Sequence, residues 1–220
     1  MILSQDTITV LKNFATINSN LVIKEGNSIS TISPAKDIIA EFVGTDKFDE
    51  KLALFNLNEF LGVLSAFEKP ELVLDTKFLT IHQGKSKVKY VYADESLLTT
   101  PTKSIKFPKA EISFLLTAGI FGKLRKMAAI LSAEDFVVEG DGETIKLQVM
   151  DKKNPTANSF EIDTEVATKD TFKIFFKIDK FKLVEGDYNM EISSKMISCL
   201  KHASMNLTVY IAVEKDSTFN

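Results

Sequence analysis

The strongest constraint on the fold of this chain is an internal repeat, in which one order of elements occurs twice at offsets of about 115 to 121 residues. "NLVIKEGNSISTI" matches "DFVVEGDGETIKLQVM", since each has a Glu-Gly turn between two strand-like segments. Further matches pair "DIIAEFV" with "SFEIDTEV", "FDEKLALFNLNEFLGVL" with "TFKIFFKIDKFKLV", and "SKVKYVYADES" with "MNLTVYIAVEKDS". Their consistent order predicts one α+β unit used twice, as helix, strands, helix and strands.

Each copy contains two segments with the apolar spacing of amphipathic helices, at residues 4–17, 57–67, 117–131 and 177–184. In the first segment, Ile8, Leu11 and Phe14 form one face behind a Ser4 or Asp6 cap. Alternating runs such as "ELVLDT", "FLTIHQ" and "KVKYVYA" predict strands between the helices. We therefore expect two similar domains, each with two helices packed on antiparallel sheets.

A segment rich in Ser, Thr and Pro, "DESLLTTPTKSIKFP" at 94–108, separates the two copies and is typical of an extended connector. We expect domain one at 1–100, the end of the linker at 101–108 and domain two at 109–220. No apolar run approaches the roughly 18 residues of a membrane span, and we expect no membrane association and no signal peptide. The single cysteine, Cys199, excludes an intrachain disulfide.

No catalytic or metal-binding motif is present in the sequence. A P-loop, a dinucleotide-binding glycine motif, a nucleophile elbow and a CxxC pair are all missing. His82 and His202 are too few to form a metal site with Cys199, and we expect incidental surface histidines and a buried thiol. "EGDGE" at 139–143 is too short for a calcium loop, and a hairpin turn explains it better. We expect no enzyme, no metal and no cofactor.

One predicted helix, 118–131, carries cations and no acid, although the chain has 27 Lys and Arg against 30 Asp and Glu. On a helical wheel its apolar residues share an arc of about 120°; they are Ile120, Phe121, Leu124, Met127, Ala128 and Leu131. Opposite them fall Ala118, Gly119, Gly122, Lys123, Arg125, Lys126 and Ala129. The predicted helix at 177–184 adds Lys177, Lys180 and Lys182 against Asp179.

A basic helix face has two interpretations. In an arbitrary protein it is most often a solvated surface. Here both helices of one copy share the bias while acids predominate in the whole chain, which favours a contact with a polyanion through its phosphates.

Several segments resemble the sliding clamp of T-even-type bacteriophages, the processivity factor of the phage DNA polymerase. They are "LKNFATINS", "LNEFLGVLS", the "KFP" at 106–108, "TFKIFFKIDKFKLVEGDY" and "YIAVEKDST". The resemblance runs through the whole chain, is strongest in the opening helix and at the C-terminus, and is weak at 66–100 and 186–206.

The resemblance implies the DNA-clamp fold and a ring of three two-domain chains joined head to tail. Helices would line the hole, and duplex DNA would pass through without its sequence being read. A clamp loader would open the ring, and the phage DNA polymerase, with late-transcription factors as further partners, would dock on it. The clamp itself would do no chemistry and would act in the cytoplasm of the infected bacterial host.

Residues at three surfaces follow from this reading. DNA would meet Lys12, Lys123, Arg125, Lys126, Lys177, Lys180 and Lys182. Partner peptides would dock at a pocket formed by Ile105, Phe107, Pro108, Tyr210, Ile211, Ala212 and Val213, although these residues could equally complete the core. The joining edges would be residues 88–92 of domain one and 160–166 of domain two. The helices of the first copy are barely basic, so the second domain would supply most of the positive lining.

The alternative function is a two-domain structural or interaction protein of a virion that binds no DNA. Its basic helix face would pack against the acidic surface of a partner. An enzyme is the least favoured interpretation.

Overall fold

The structure, a computed structural model, describes residues 1–102 and 104–219; Lys103 in the predicted linker and Asn220 at the end of predicted domain two lie outside the described residues. The chain divides into two compact units. Unit 1 comprises Met1–Ile105, Lys182–Val184 and Met205–Val209. Unit 2 comprises Lys106–Phe181, Glu185–Ser204 and Tyr210–Asn220.

Unit 1 combines two helices with antiparallel strands. Its elements are α1 (Gln5–Ile17), β1 (Leu21–Ile23), β2 (Gly26–Ile32), β3 (Ile38–Phe48), β4 (Leu52–Leu54), α2 (Leu57–Ser65), β5 (Glu71–Leu74), β6 (Phe78–Gln83), β7 (Ser86–Val91) and a short 3-10 helix (Glu95–Leu97). β1 pairs with β4 and β2 with β3, while β5, β6 and β7 form a three-stranded sheet in that order. β7 is therefore an edge strand.

Both helices of unit 1 begin where the sequence provides a cap. The Ser4 hydroxyl oxygen accepts a hydrogen bond from the Thr7 amide at 3.3 Å, and the Asn56 side chain accepts one from the Glu59 amide at 3.1 Å. Leu11 and Phe14 of α1 are fully buried, as their spacing predicts.

Unit 2 packs one α-helix against a larger sheet. Its elements in chain order are β8 (Ile112–Leu116), α3 (Ala118–Leu131), β9 (Asp135–Asp141), β10 (Thr144–Met150), β11 (Phe160–Ala167), β12 (Thr171–Lys177), a 3-10 helix (Ile178–Lys180), β13 (Tyr188–Ser193), β14 (Ile197–His202) and β16 (Thr218–Phe219). β15 (Leu207–Ala212) is divided, since its residues up to Val209 belong to unit 1 and the rest to unit 2. β11, β10, β9, β12 and β16 form a five-stranded sheet in that order, with β11 at one edge, and β13 pairs with both β8 and β14.

The prediction of a second helix at 177–184 is wrong. β12 continues to Lys177 because Phe172, Ile174 and Phe176 alternate as buried residues in register with β9. After the short 3-10 helix, the Phe181 ring packs 4.9 Å from the ring of Phe136, measured between centroids. The described residues contain three α-helices rather than four, and unit 2 lacks the second helix that we expected.

Other local features go beyond what the sequence pattern indicates. The two strand-like segments on either side of Glu25 form β1 and β2, but β1 pairs with β4 and β2 with β3 rather than with each other. In the repeat segment "FDEKLALFNLNEFLGVL", the chain turns at 49–51, between the end of β3 and β4. β8, β13 and β14 were not predicted. The α+β class with antiparallel sheets is confirmed.

Candidate nucleic-acid interface

Helix α3 is held by a cap at its start and by apolar packing along one side. The Thr117 hydroxyl oxygen accepts a hydrogen bond from the Ile120 amide at 3.2 Å. Phe121, Leu124 and Ala128 are buried, and the Phe121 ring lies 5.5 Å from that of Phe181. The helix therefore has one orientation on the sheet of unit 2, and that orientation fixes which side chains point outward.

The outward side of α3 carries exposed cations, as the helical wheel predicts. Exposed residues on this side are Gly119, Gly122, Lys123, Arg125, Lys126 and Ala129. Within the described chain, none of Lys123, Arg125 and Lys126 forms an ion pair with a carboxylate. We call Lys123, Arg125 and Lys126 the α3 cation face. Its charges are unneutralised and available to an anion.

The other face of the unit 2 sheet has a different charge pattern. Asp163, Lys146, Glu139 and Lys173 stand opposite one another on successive strands, on the side away from buried Leu147. The two lysines are neutralised, because Lys173 lies 2.9 Å from Glu139, and Lys146 lies 2.8 Å from Asp141. Both cations of this row are therefore neutralised, in contrast to the α3 cation face.

Lys177 and Lys180, predicted to contact DNA from a second helix, are engaged with acids instead. The Lys177 ammonium lies 2.8 Å from the Asp135 carboxylate and 3.3 Å from that of Glu134. The Lys180 ammonium lies 2.9 Å from Glu214. Burial alone would lower the pKa of Lys177, but its hydrogen bonds to Asp135 and Glu134 outweigh burial and hold the pKa above its ordinary value.

Lys12 and Lys182 occupy different settings. Lys12 is exposed on α1, where Gln5, Asp6 and Thr16 are also exposed. Lys182 is half-buried in the segment that follows the 3-10 helix. The exposed residues of α2 are Asn58, Glu59, Gly62 and Ser65, so the helices of unit 1 present little positive charge, as the sequence indicates.

The residues predicted to bind partner peptides divide by burial. Ile211 and Val213 are buried, whereas Tyr210 and Ala212 alternate with them and are partly accessible. Phe107 and Pro108 are also half-buried, and the Phe107 ring lies 6.3 Å from the Tyr210 ring. Ile105, half-buried, belongs to unit 1. In unit 2, an accessible apolar surface therefore includes Phe107, Pro108, Tyr210 and Ala212.

The histidines, the cysteine and the acidic turn form no shared site. Cys199 is buried as expected, but His202 is also buried, with its Nε2 atom 3.2 Å from the Glu185 carbonyl oxygen, so its expected surface position is wrong. The Asp141 carboxylate accepts from the Thr144 amide at 2.9 Å, which confirms a hairpin turn at "EGDGE". Nowhere in the described ranges do three side chains of His, Cys, Asp or Glu converge as metal ligands.

Sequence reasoning missed the ion pairs of Lys177 and Lys180. Their partners lie 42 and 34 residues away along the chain, and no local sequence pattern identifies partners so distant.

None of the helices described here combines the length and apolar character needed to cross a membrane.

Comparison with known proteins identifies relatives along nearly the whole chain. The sliding clamp of Vibrio phage KVP40 is 32% identical over 221 residues, covering 97% of this chain and 99% of the relative. The sliding clamps of Escherichia phage RB69 and Enterobacteria phage T4 are 28% and 27% identical, each covering 99% of both chains. No family model matches the sequence.

Solved structures share the fold at much lower sequence identity. PCNA of A. fulgidus, bound to the C-terminal region of FEN-1, superposes with a TM-score of 0.72 at 15% identity and covers 99% of this chain and 98% of its own. The DNA polymerase III β subunit of Pseudomonas aeruginosa has a TM-score of 0.63 at 9% identity, covering 93% of this chain and 62% of its own. The DNA-clamp fold and the predicted resemblance are confirmed, and the chain belongs to the family of bacteriophage sliding clamps.

Proposed function

We propose that this protein encircles duplex DNA as a sliding clamp and tethers the replicative DNA polymerase during phage DNA replication. The observation that carries the proposal is the α3 cation face, in a chain that belongs to the sliding-clamp family. Three exposed, unneutralised cations lie opposite the buried side of a single helix. We propose that the clamp acts in the cytoplasm of the infected bacterial host and does no chemistry itself.

The DNA contact would be electrostatic and independent of base sequence. Lys and Arg side chains on an exposed helix can reach phosphates, and phosphate contacts position a protein without reading sequence. Weak contacts that exchange from one phosphate to the next permit movement along the duplex. We expect Lys123, Arg125 and Lys126 to dominate and Lys12 and Lys182 to contribute less. Lys177 and Lys180 contribute least, since each already contacts a carboxylate.

The proposed assembly is a homotrimeric ring of two-domain chains, with domains at 1–100 and 109–220 joined by 101–108. The predicted joining strands coincide with β7 and β11, and each has one neighbour in its sheet and one free edge. A strand with a free edge is a template for pairing with another chain. Head-to-tail pairing of β7 with β11 would use both edges and close a ring.

Partners would dock on the apolar surface that includes Phe107, Pro108, Tyr210 and Ala212. Their partial accessibility supports binding of a short peptide anchor, while buried Ile211 and Val213 support the surface from beneath. The proposed partners are the phage DNA polymerase, a clamp loader that opens the ring, and late-transcription factors.

Retention on circular DNA tests the proposed function. The protein is loaded by its clamp loader onto a nicked circle, free protein is removed, and half of the sample is cut once with a restriction enzyme. A ring that encircles DNA slides off the cut molecule and stays on the circle. Equal release from both forms would contradict encirclement and favour the alternative, a structural or interaction protein that does not bind DNA.

A further inference from the structure

The free edges of β7 and β11 carry charges of opposite sign. On β7 of unit 1, Lys87 and Lys89 are exposed, and Lys85 precedes them. On β11 of unit 2, the exposed charged residues are Glu161, Asp163 and Glu165. Across the part of the chain that the structure describes, none of these six side chains takes part in an ion pair.

The charged side chains lie on equivalent faces of the two edges. On β7, Lys87 and Lys89 alternate with half-buried Val88 and buried Tyr90, so the lysines point away from the core of unit 1. On β11, Glu161 and Asp163 flank Ile162, which stands opposite buried Leu147. The two acids therefore point away from the core of unit 2.

Pairing of one edge with the other would bring these charges together. If β7 of one copy adds to β11 of another with both cores on the same side, the lysines and acids share the outer face. Directly opposite residues on paired strands have Cβ atoms about 4.5–5.5 Å apart. At that distance unlike charges attract and like charges repel.

We propose that these charges select the head-to-tail contact between copies of this chain and disfavour two-fold contacts. Pairing β7 with β7 would place lysines against lysines, and pairing β11 with β11 would place acids against acids. The unlike contact alone is favourable, so the same residues that attract also specify a head-to-tail contact between subunits. This inference rests on the proposed ring and names the residues that determine how its subunits join.

The attraction is between exposed groups, so it depends on ionic strength. The screening length falls from about 10 Å at 0.1 M salt to about 3 Å at 1 M. We therefore expect ring dissociation to increase with salt beyond what hydrogen bonding and apolar contacts alone would give. This additional salt dependence is absent if the interface between subunits does not include these charges.

Charge reversal separates this inference from general effects of net charge. One variant carries Lys87→Glu with Lys89→Glu, a second carries Glu161→Lys with Asp163→Lys, and a third carries all four changes. The four-residue variant keeps the net charge of the wild type. Exposed Lys24→Glu with Lys47→Glu is the control for the first variant, because it makes the same change of net charge outside the two sheets that contain β7 and β11.

Sedimentation equilibrium at 50 mM and 500 mM salt measures subunit dissociation, and circular dichroism establishes that each variant is folded. We expect each edge variant to dissociate at least tenfold more than wild type at low salt. We expect the four-residue variant to regain association to within about threefold, and the control to match wild type. At high salt the differences should shrink.

The inference is overturned if either edge variant associates like wild type, or if the four-residue variant remains as dissociated as the two edge variants. Those outcomes, with wild-type rings intact, leave the proposed function standing. A wild-type chain that is monomeric at tens of micromolar overturns the ring and this inference together.

Discussion

The ammonium of Lys177 lies 2.8 Å from the carboxylate of Asp135, a residue with no exposed surface at the start of β9. The same carboxylate group accepts a hydrogen bond from the Lys152 amide at 3.0 Å. Lys177 therefore neutralises a buried acid, and the positive charge that the sequence assigns to a DNA-facing helix has a structural role.

Replacing Lys177 with Met should destabilise the protein. The Asp135 carboxylate would keep its hydrogen bond from the Lys152 amide, and the Lys152 ammonium would remain 4.0 Å away. The carboxylate would lose the Lys177 ammonium, which is its nearest cation. Removing one partner of a buried pair leaves a charge without compensation, and we expect a decrease of about 2–3 kcal/mol in the free energy of unfolding. Chemical denaturation at fixed protein concentration measures the change.

The matched control is Lys126→Met, which removes an exposed cation without an ion pair and should change the free energy of unfolding by less than about 0.5 kcal/mol. The variant Lys177→Met with Asp135→Asn should recover part of the stability. Equal stability of the Lys177 and Lys126 variants would contradict this account of Lys177.

Two glycines in unit 2 should respond to alanine in opposite directions. A Cβ atom on Gly122, on the outward side of α3, meets no other atom within 4 Å, so Gly122→Ala should stabilise the helix by about 0.5–1 kcal/mol. A Cβ atom on Gly140 would lie 2.5 Å from the Phe172 ring and 2.9 Å from the Asp170 carbonyl oxygen, so Gly140→Ala should destabilise the protein.

Thermal unfolding of the two glycine variants and wild type, at one protein concentration, gives the order of stability. A Gly122 variant less stable than wild type would show that this glycine serves the fold. A Gly140 variant as stable as wild type would contradict the close approach of Phe172.

Much of the fold could be predicted from local patterns, and the failures have physical reasons. α1 and α3 follow their caps and apolar spacing, and β5, β6 and β7 follow their alternation. Buried residues alternate along the strand that leads into the segment 177–184. Within that segment, Phe181 and Val184 are three residues apart, which also fits the spacing of a helix. Pairing with β9 decides in favour of the strand, and that pairing is not visible in the local sequence.

The candidate site shows the same division. Lys123, Arg125 and Lys126 could be placed on the outward side of α3 because a helical wheel puts them opposite its apolar residues. The ion pairs of Lys177 and Lys180 depend on residues brought close only by the tertiary fold. Similarly, Val213 is buried and its neighbour Ala212 is accessible because of the side of β15 that faces the core, and the sequence alone does not indicate that side.

The Tyr92 phenol should ionise at a higher pH than an ordinary tyrosine. Burial, with a smaller contribution from the nearby Glu50 and Asp75 carboxylates, raises the pKa of its phenol to about 12. Because the folded-state pKa lies above the ordinary value of about 10, the contribution of Tyr92 to stability is present below about pH 10 and is lost as pH rises through about 12.

Tyrosinate absorbance of wild type and Tyr92→Phe measures this directly. The difference between the two titrations should be centred near pH 12 and well above that of an exposed tyrosine. A difference centred near pH 10 would mean that the Tyr92 hydroxyl is solvated in the folded protein.

The proposed peptide surface predicts that Ala212→Glu weakens binding of a tail peptide of the polymerase. Ala212 is partly accessible, so its replacement tests the surface with less damage than a change at Val213, which is 7% exposed. We expect affinity to fall tenfold or more, because a carboxylate would lie against apolar anchors. Fluorescence anisotropy with a labelled peptide measures the dissociation constant.

The control for this substitution is Asn189→Glu, an exposed position on β13 of the same unit, which should bind the peptide like wild type. If Ala212→Glu, folded and trimeric, binds the peptide as tightly as this control, the partner surface lies elsewhere.

The lifetime of loaded rings on nicked circular DNA across a salt series tests the role of the α3 cation face most directly. The variant Lys123→Ala with Arg125→Ala and Lys126→Ala is compared with wild type and with a variant carrying Lys24→Ala, Lys47→Ala and Lys69→Ala, three exposed lysines of unit 1. Removal of each cation that meets a phosphate should reduce the logarithmic salt dependence by about 0.9. We predict a shorter lifetime and a flatter slope for the α3 variant, with the unit 1 variant close to wild type. Equal lifetimes and slopes for all three proteins would contradict a contact between α3 and DNA.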